Sequence, residues 1–390
     1  MDKKTLLTLK KIFKEYYFKH IEELEVPTRI NEREFGYMTF DRIMVRHLSF
    51  KNKGDIYAHI LKETPHSFYY STSFYDEPLK QMHEKGWKGG DLAFDIDADT
   101  LSSPCRQDHD KWVCRNCSVE NIGIKPKKCP SCKGTRIHEV NIACSICLDA
   151  AKNEAIKLLN ILINDFGFQK SNIDIYFSGS MGYHLSISNS VLGDTNQTIR
   201  SEIVDYVSGR GYIPESIGVS KKSTYDDLIK RLPSENDYGW RGRIAKYFKS
   251  ILSSEESEDI KEILANEYRS TKTKNFNYKK FRSDIEDATM NSGAKVDASV
   301  TTDVHRILRF PGTLHGKTGL LKKRCQDLES FSPLNDAVVL GQEPIKIVVD
   351  NSPKFSLLGR QFGPFKSESI ELPTMAAVYL LGQSMAKVED

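Results

Sequence analysis

Seven of the eight cysteines in this 390-residue chain lie between Cys105 and Cys147, and only Cys325 lies elsewhere. A small secreted domain stapled by disulfides carries its cysteines throughout, so clustering of this kind points to reduced thiols gathered around metal. The rest of the chain must then fold by burying apolar surface. With 39% hydrophobic and 28% charged residues it has the composition of a soluble globular protein. Its length suggests two or three folded units. Net charge is only +3, so any nucleic-acid surface has to come from local clustering.

Two knuckles are explicit. Cys114-x2-Cys117 and Cys129-x2-Cys132 are separated by eleven residues, and CRNC and CPSCKG are compact turns that converge thiolates on one tetrahedral ion. Lys125, Lys127, Lys128 and Lys133 surround this ribbon and suit a phosphate backbone. Cys144-x2-Cys147 is a third knuckle, set before a long helix. Cys105 and His109 complete a second site with it, with His138 as the rival fourth ligand. The expected arrangement is nested, with two zinc ions and the ribbon inserted between the halves of the outer site. Cys325 reads as a lone structural thiol.

Periodicity organises the remainder. Leu6, Leu9, Ile12/Phe13, Tyr16 and His20/Ile21 recur at helical spacing, and Lys10, Lys11 and Lys14 interrupt any signal-peptide core. No stretch reaches the roughly 18 apolar residues a membrane span needs. A cytoplasmic setting and no membrane partner are therefore expected. Residues 33–50 read as a strand pair and 66–75 and 91–99 as strands. A helix follows the cysteines, then a strand, turn and strand through NIDIYFSGSMGYHLSISN. Residues 195–290 read as a mostly helical insertion, and 303–310 and 337–349 as strands. A last amphipathic helix is placed at about 372–386. The fold class is α+β, an α/β body with an inserted zinc-binding module and a mostly helical subdomain. The body takes residues 1–104, 141–194 and 291–350, and the zinc region 105–147 contains a ribbon at 114–132. The helical insertion takes 195–290, and 351–390 reads as a helical tail.

Asp95 and Asp97 in DLAFDIDAD are two residues apart on a strand and share a face, opposite Leu92, Phe94 and Ile96. Side-by-side carboxylates repel unless a cation such as Mg²⁺ or Mn²⁺ sits between them; the bland reading is a solvated acidic strand end. Asp297 in KVDASVTT reads in isolation as a helix cap. In SGSMGYH, Gly179 and Gly182 permit a tight turn whose N–H groups approach a phosphate, with His184 on the next strand; an ordinary hairpin explains it equally well. HRILRFPGTLHGKTG places Arg306, Arg309, His315 and Lys317 around glycine turns, which suits a triphosphate. It is not a P-loop, because Pro311 stands where that pattern needs its first glycine. Residues 267–283 interleave Arg269, Lys272, Lys274, Lys279, Lys280 and Arg282 with Tyr268, Phe276, Tyr278 and Phe281, either as a stacking surface or as core aromatics.

The order DIDAD, CxxC before a helix, SGSMGYH, then KVDASVTTDVHRILRFPGTLHGKTG is similar to the catalytic small subunit of archaeal and eukaryotic DNA primase. The resemblance covers about residues 30–325. It implies a primase-polymerase catalytic body in which Asp95, Asp97 and Asp297 hold the catalytic Mg²⁺ or Mn²⁺. It assigns Ser178, His184, Arg309 and His315 to the nucleotide phosphates, with Arg46 as a further substrate-site arginine. Cys105, His109, Cys144 and Cys147 match the family's zinc knuckle. The implied activity is template-directed synthesis of short RNA, or also DNA, primers from NTPs or dNTPs on single-stranded DNA. The implied partner is a large subunit, and the implied setting that of an archaeal-type enzyme at the nucleoid. Two departures stand out. Met181 occupies a position where relatives often carry arginine, and Lys317 is the expected substitute. The ribbon at 114–132 is an insertion without an assigned role. A DxD-type glycosyltransferase would share the paired acids, and a non-catalytic zinc-ribbon nucleic-acid binder would share the cysteines.

Overall fold

The computed structural model describes residues 1–188, 192–252, 260–268 and 276–389. The chain mixes helices and strands, and every described strand pairing is antiparallel. It divides into two compact units: residues 1–153, 173–195 and 299–390, and residues 154–172 and 196–298.

The first unit opens with the helix Lys3–His20, capped by Asp2, whose carboxylate accepts from the Thr5 N–H at 2.8 Å. Leu9, Phe13, Tyr16 and Tyr17 form its buried stripe, the face the 3.6-residue period requires. Two four-stranded sheets follow. One runs in the order Ile307–Arg309, Ser67–Ser71, Phe35–Met38, Met44–Leu48; the other Lys323–Arg324, Ile173–Phe177, Gly182–Ile187, Leu92–Asp97. Leu92, Phe94 and Ile96 are fully buried, so strand alternation turns Ala93, Asp95 and Asp97 to the opposite face. No helix among the described residues is long and apolar enough to cross a membrane.

The cysteine region adds a three-stranded sheet, Glu120–Ile122, Lys111–Cys114 and Ile137–Val140. Residues 351–390, read as a helical tail, instead complete a sheet formed by Phe365–Pro373, Pro344–Ser352 and Ala386–Val388, with a small hairpin, Phe355–Leu357 with Arg360–Phe362, beside it. The final helix is shorter than expected, Thr374–Gly382, and is not amphipathic, because all nine of its residues are buried. Its apolar run packs all round, where a surface helix would expose one face.

In the second unit the helices Gln197–Ser208, Tyr225–Arg231, Gly239–Leu252, Ile260–Tyr268 and Tyr278–Ser292 surround a core that includes Ile244, Phe248, Leu264 and Phe281. Arg243 forks onto Asp165, with Nη2 2.7 Å from Oδ1 and Nε 3.2 Å from Oδ2. Tyr268, Phe276 and Phe281 belong to this core and Tyr278 packs against it, so these aromatics are structural and offer no stacking surface. Arg269, Lys272 and Lys274 of the same stretch lie outside the described residues.

Candidate active site and metal centres

The register of the second sheet assembles the site. Asp95 stands opposite His184 and Asp97 opposite Gly182. Gly182 makes this possible: a Cβ there would lie 1.9 Å from the Ile96 carbonyl oxygen. Asp95 is 7% exposed, and His184 Nε2 approaches its Oδ1 to 3.3 Å, at an angle that leaves that oxygen without a proper hydrogen bond. Burial works to raise the Asp95 carboxyl, but His184, Arg306 and Lys322 outweigh it and hold the group ionised below its ordinary range. Burial pushes His184 the other way, toward the neutral imidazole.

The Gly179–Gly182 turn is organised from within. The Ser178 hydroxyl oxygen accepts from the N–H groups of Ser180 at 3.3 Å and Gly182 at 3.2 Å. Those two N–H groups are therefore engaged within the turn, and the Ser178 hydroxyl proton remains to be donated. The loop after Arg309 docks on this turn through Thr318, whose hydroxyl donates to the Gly179 carbonyl at 2.5 Å. His315 Nδ1 accepts from the Lys317 N–H at 3.2 Å, which leaves Nε2 as the hydrogen-bearing nitrogen. The N-terminal helix braces the loop: Tyr16 donates to the Gly312 carbonyl, and Tyr17 accepts from the Leu314 N–H.

Asp95, Asp97, Ser178, Met181, His184, Arg309, His315 and Lys317 all line one cavity of about 790 Å³. Arg309 enters it from the strand Ile307–Arg309, opposite Tyr69. Its Nε and Nη1 are buried without a hydrogen-bond partner among the described residues. A buried guanidinium with unused donors awaits an anion. Desolvation, then the positive charges of Arg42 and Arg309, lowers the Lys317 ammonium from its usual range.

Arg46 is committed to the buried Glu34, with Nε 2.8 Å from Oε1 and Nη2 3.1 Å from Oε2, and it is not among the cavity's lining residues. Asp297 belongs to the second unit, as the residue before the helix Ala298–Thr302. One residue was not anticipated. Lys322 is 1% exposed, its Nζ donates to the Arg309 carbonyl at 2.6 Å, and it lies between the rings of Tyr70 and Tyr176. Burial, reinforced by Arg309, brings its pKa down to about 7, while Asp95 pulls the other way. Nothing in a Leu-Leu-Lys-Lys run distinguishes this lysine from a surface one.

The cysteines form two groups whose candidate ligand atoms all lie within 4.8 Å of one another: Cys105, His109, Cys144 and Cys147, and Cys114, Cys117, Cys129 and Cys132. His109, not His138, completes the first, with Nε2 3.4 Å from Cys147 Sγ. The Cys105–Cys147 and Cys144–Cys105 sulfurs are 3.4 and 3.6 Å apart, and Cys114–Cys132 and Cys117–Cys129 are 3.5 and 3.7 Å apart. Disulfides need about 2.05 Å. Four thiolates at about 2.3 Å from a tetrahedral zinc stand roughly 3.8 Å apart, so both groups suit that ion.

Comparison with known proteins places the chain in a family. The DNA primase small subunit family profile matches residues 136–326. The DNA primase small subunit PriS of Nitrosopumilus maritimus is 35% identical over 388 residues, covering all of both chains. Those of Cenarchaeum symbiosum and Archaeoglobus fulgidus are 34% and 32% identical, each over 99% of both chains. Among solved structures, the polymerase domain of Mycobacterium tuberculosis ligase D in complex with DNA aligns with a TM-score of only 0.36 at 11% identity, covering 82% of this chain and 83% of that one. Full-length identity at this level shows that the chain belongs to the DNA primase small-subunit family and is a DNA-directed nucleotidyltransferase.

Proposed function

We propose that the cavity joins nucleotides on a single-stranded DNA template, making short primers from NTPs or dNTPs, with Asp95, Asp97 and Asp297 as ligands for two Mg²⁺ or Mn²⁺ ions. The observation that carries this reading is the meeting, in one cavity, of an ionised, incompletely bonded Asp95 with an Arg309 whose donors are unused. All-oxygen carboxylate donors suit hard divalent cations. Bound there, such ions lower the pKa of a 3′-hydroxyl and neutralise charge at the α-phosphate and the departing pyrophosphate.

This chain's residues do the rest. Arg309 and the Nε2–H of His315 donate to phosphate oxygens, and Ser178 adds its hydroxyl. His184 stands beside Asp95 across the paired strands, within reach of the same phosphates. Lys317 supplies the cation that Met181 does not. Lys322 contributes positive charge toward Asp95. Arg46 acts at one remove, fixing Glu34 under the first sheet.

The two cysteine groups hold structural zinc on this reading, and the division into catalytic body, zinc region with inserted ribbon, helical insertion and C-terminal segment follows from it. The small-subunit relatives imply a large-subunit partner, and a cytoplasmic enzyme at the nucleoid suits the reaction. The test is labelled-nucleotide incorporation on unprimed single-stranded DNA, with and without a large subunit, beside Asp95→Ala and Asp97→Ala. Primers from the wild type and none from the variants are expected. A wild type that incorporates nothing under either condition defeats the proposal. Untemplated sugar transfer would replace it with a glycosyltransferase.

A further inference from the structure

The inserted ribbon had no role in the sequence reading, yet its sheet has a definite face. Register pairs Lys111 with Val140, and Val113 with both Glu120 and His138. Side chains on paired and alternate positions share a side, so Lys111, Val113, Arg115, Glu120, His138 and Val140 line up together. All six line the cavity that holds Asp95, Asp97, Arg309 and Lys317. Trp112 and Cys114 point the other way.

The acids on this wall are occupied. Glu120 pairs with Lys111 at 3.0 Å, and Glu139 with Arg106 at 3.1 Å and Lys125 at 3.5 Å. No carboxylate among the described residues pairs with Arg115 or His138. Burial first, and then the charges of Arg115, Lys317 and Lys125, depresses the His138 imidazole, which places Lys317 and Arg115 as its charged neighbours. Arg115 and Lys317, from two separate parts of the chain, thus face one cavity, which Asp95, Asp97, Asp99 and Asp350 also line.

We propose that the ribbon is a wall of the nucleotide site, and that Arg115 and His138 hold the terminal phosphates of the incoming nucleoside triphosphate beyond Lys317. The proposal rests on the nucleotidyltransferase reading above. A polyphosphate is favoured over a template backbone because these groups converge on the cavity of the acids, whereas a strand-tracking surface is a stripe. The ribbon's exposed Lys127 and Lys128, outside the lining, are the candidates for such a stripe.

The experiment uses the full chain and compares Arg115→Ala/His138→Ala with wild type and with Lys127→Ala/Lys128→Ala. Zinc content and melting temperature establish that each is folded, and Arg115→Lys/His138→Gln serves should the alanine variant fail to fold. Loss of charge-assisted phosphate contacts is expected to raise the KM for NTP about tenfold to hundredfold. Affinities for nucleoside monophosphate and single-stranded DNA should stay at wild-type values, and Arg115→Lys should recover part of the loss. An unchanged KM, an equal loss for the monophosphate, or a loss confined to DNA binding would overturn the proposal. If the wild type itself neither binds NTP nor makes primers, the nucleotidyltransferase reading fails instead.

Discussion

The two cysteine groups use nearly the same ligands to do different structural work. The ribbon is local. Its paired sulfurs come from residues 18 and 12 apart, and its two turns repeat one pattern. Cys114 N–H donates to the Val119 carbonyl and Cys129 N–H to that of Gly134. Ser118 and Lys133 N–H donate back to the Cys114 and Cys129 carbonyls, and both residues sit left-handed at φ 58° and 59°. The other group ties residues 39 and 42 apart. Cys144 precedes the helix Ser145–Asn164 and accepts the Cys147 N–H at 3.4 Å, so a thiolate caps the helix end where the macrodipole favours negative charge. His109 Nδ1 lies 3.0 Å from the buried Asp110, a close approach that falls short of hydrogen-bond geometry, and that carboxylate accepts from Arg106 and the Ile142 N–H. A local clip shapes a loop, whereas a clip across the chain holds the body together.

That contrast orders the expected effects. Cys147→Ala should be the most damaging. It removes a fully buried ligand and frees a helix start, costing on the order of 4 kcal/mol, which calorimetry would read as a melt lowered by about 10 °C, alongside the loss of one zinc in metal analysis. Cys129→Ala should lose the other zinc for about 1–2 kcal/mol, leaving the far-UV signal intact. Equal melts for the two variants would erase the distinction.

Asp110→Asn should weaken only the cross-chain site, by about 10- to 100-fold in zinc affinity, because the histidine loses its orienting carboxylate. In a chelator challenge its faster-releasing zinc would then be that site's; in the wild type the ribbon, with Cys117 and Cys132 exposed, should release first. The smallest effect belongs to Ser118→Gly or Lys133→Gly. Relief of the left-handed backbone should slow ribbon zinc release by no more than about 1 kcal/mol, with no change in the melt of the body.

The ribbon was legible in the sequence because local spacing is what defines it. The choice of His109 over His138 was not, because both lie within reach in sequence and only the sheet sends His138 to the opposite surface. The acid strand was legible for a similar reason: alternation of Leu92, Phe94 and Ile96 with Asp95 and Asp97 states which face is which. The Arg46–Glu34 pair was not legible, because Glu34 is a buried acid that no local pattern announces. Lys322 was missed because burial, not sequence, makes it unusual. The strand Phe365–Pro373 escaped because five of its nine residues are exposed, which blurs the period-two signal.

Gly182 carries a consequence for how this enzyme can vary. Its backbone lies so near the Ile96 carbonyl that no other residue fits without parting the strands, and the Asp97 carboxylate is the next atom in the way, at 2.7 Å. The spacing of the acids is therefore inherited from main chain pressed against main chain. Side chains around the cavity, Met181 among them, can change while the geometry of the carboxylates does not. The site is free to retune what it binds without disturbing where it reacts.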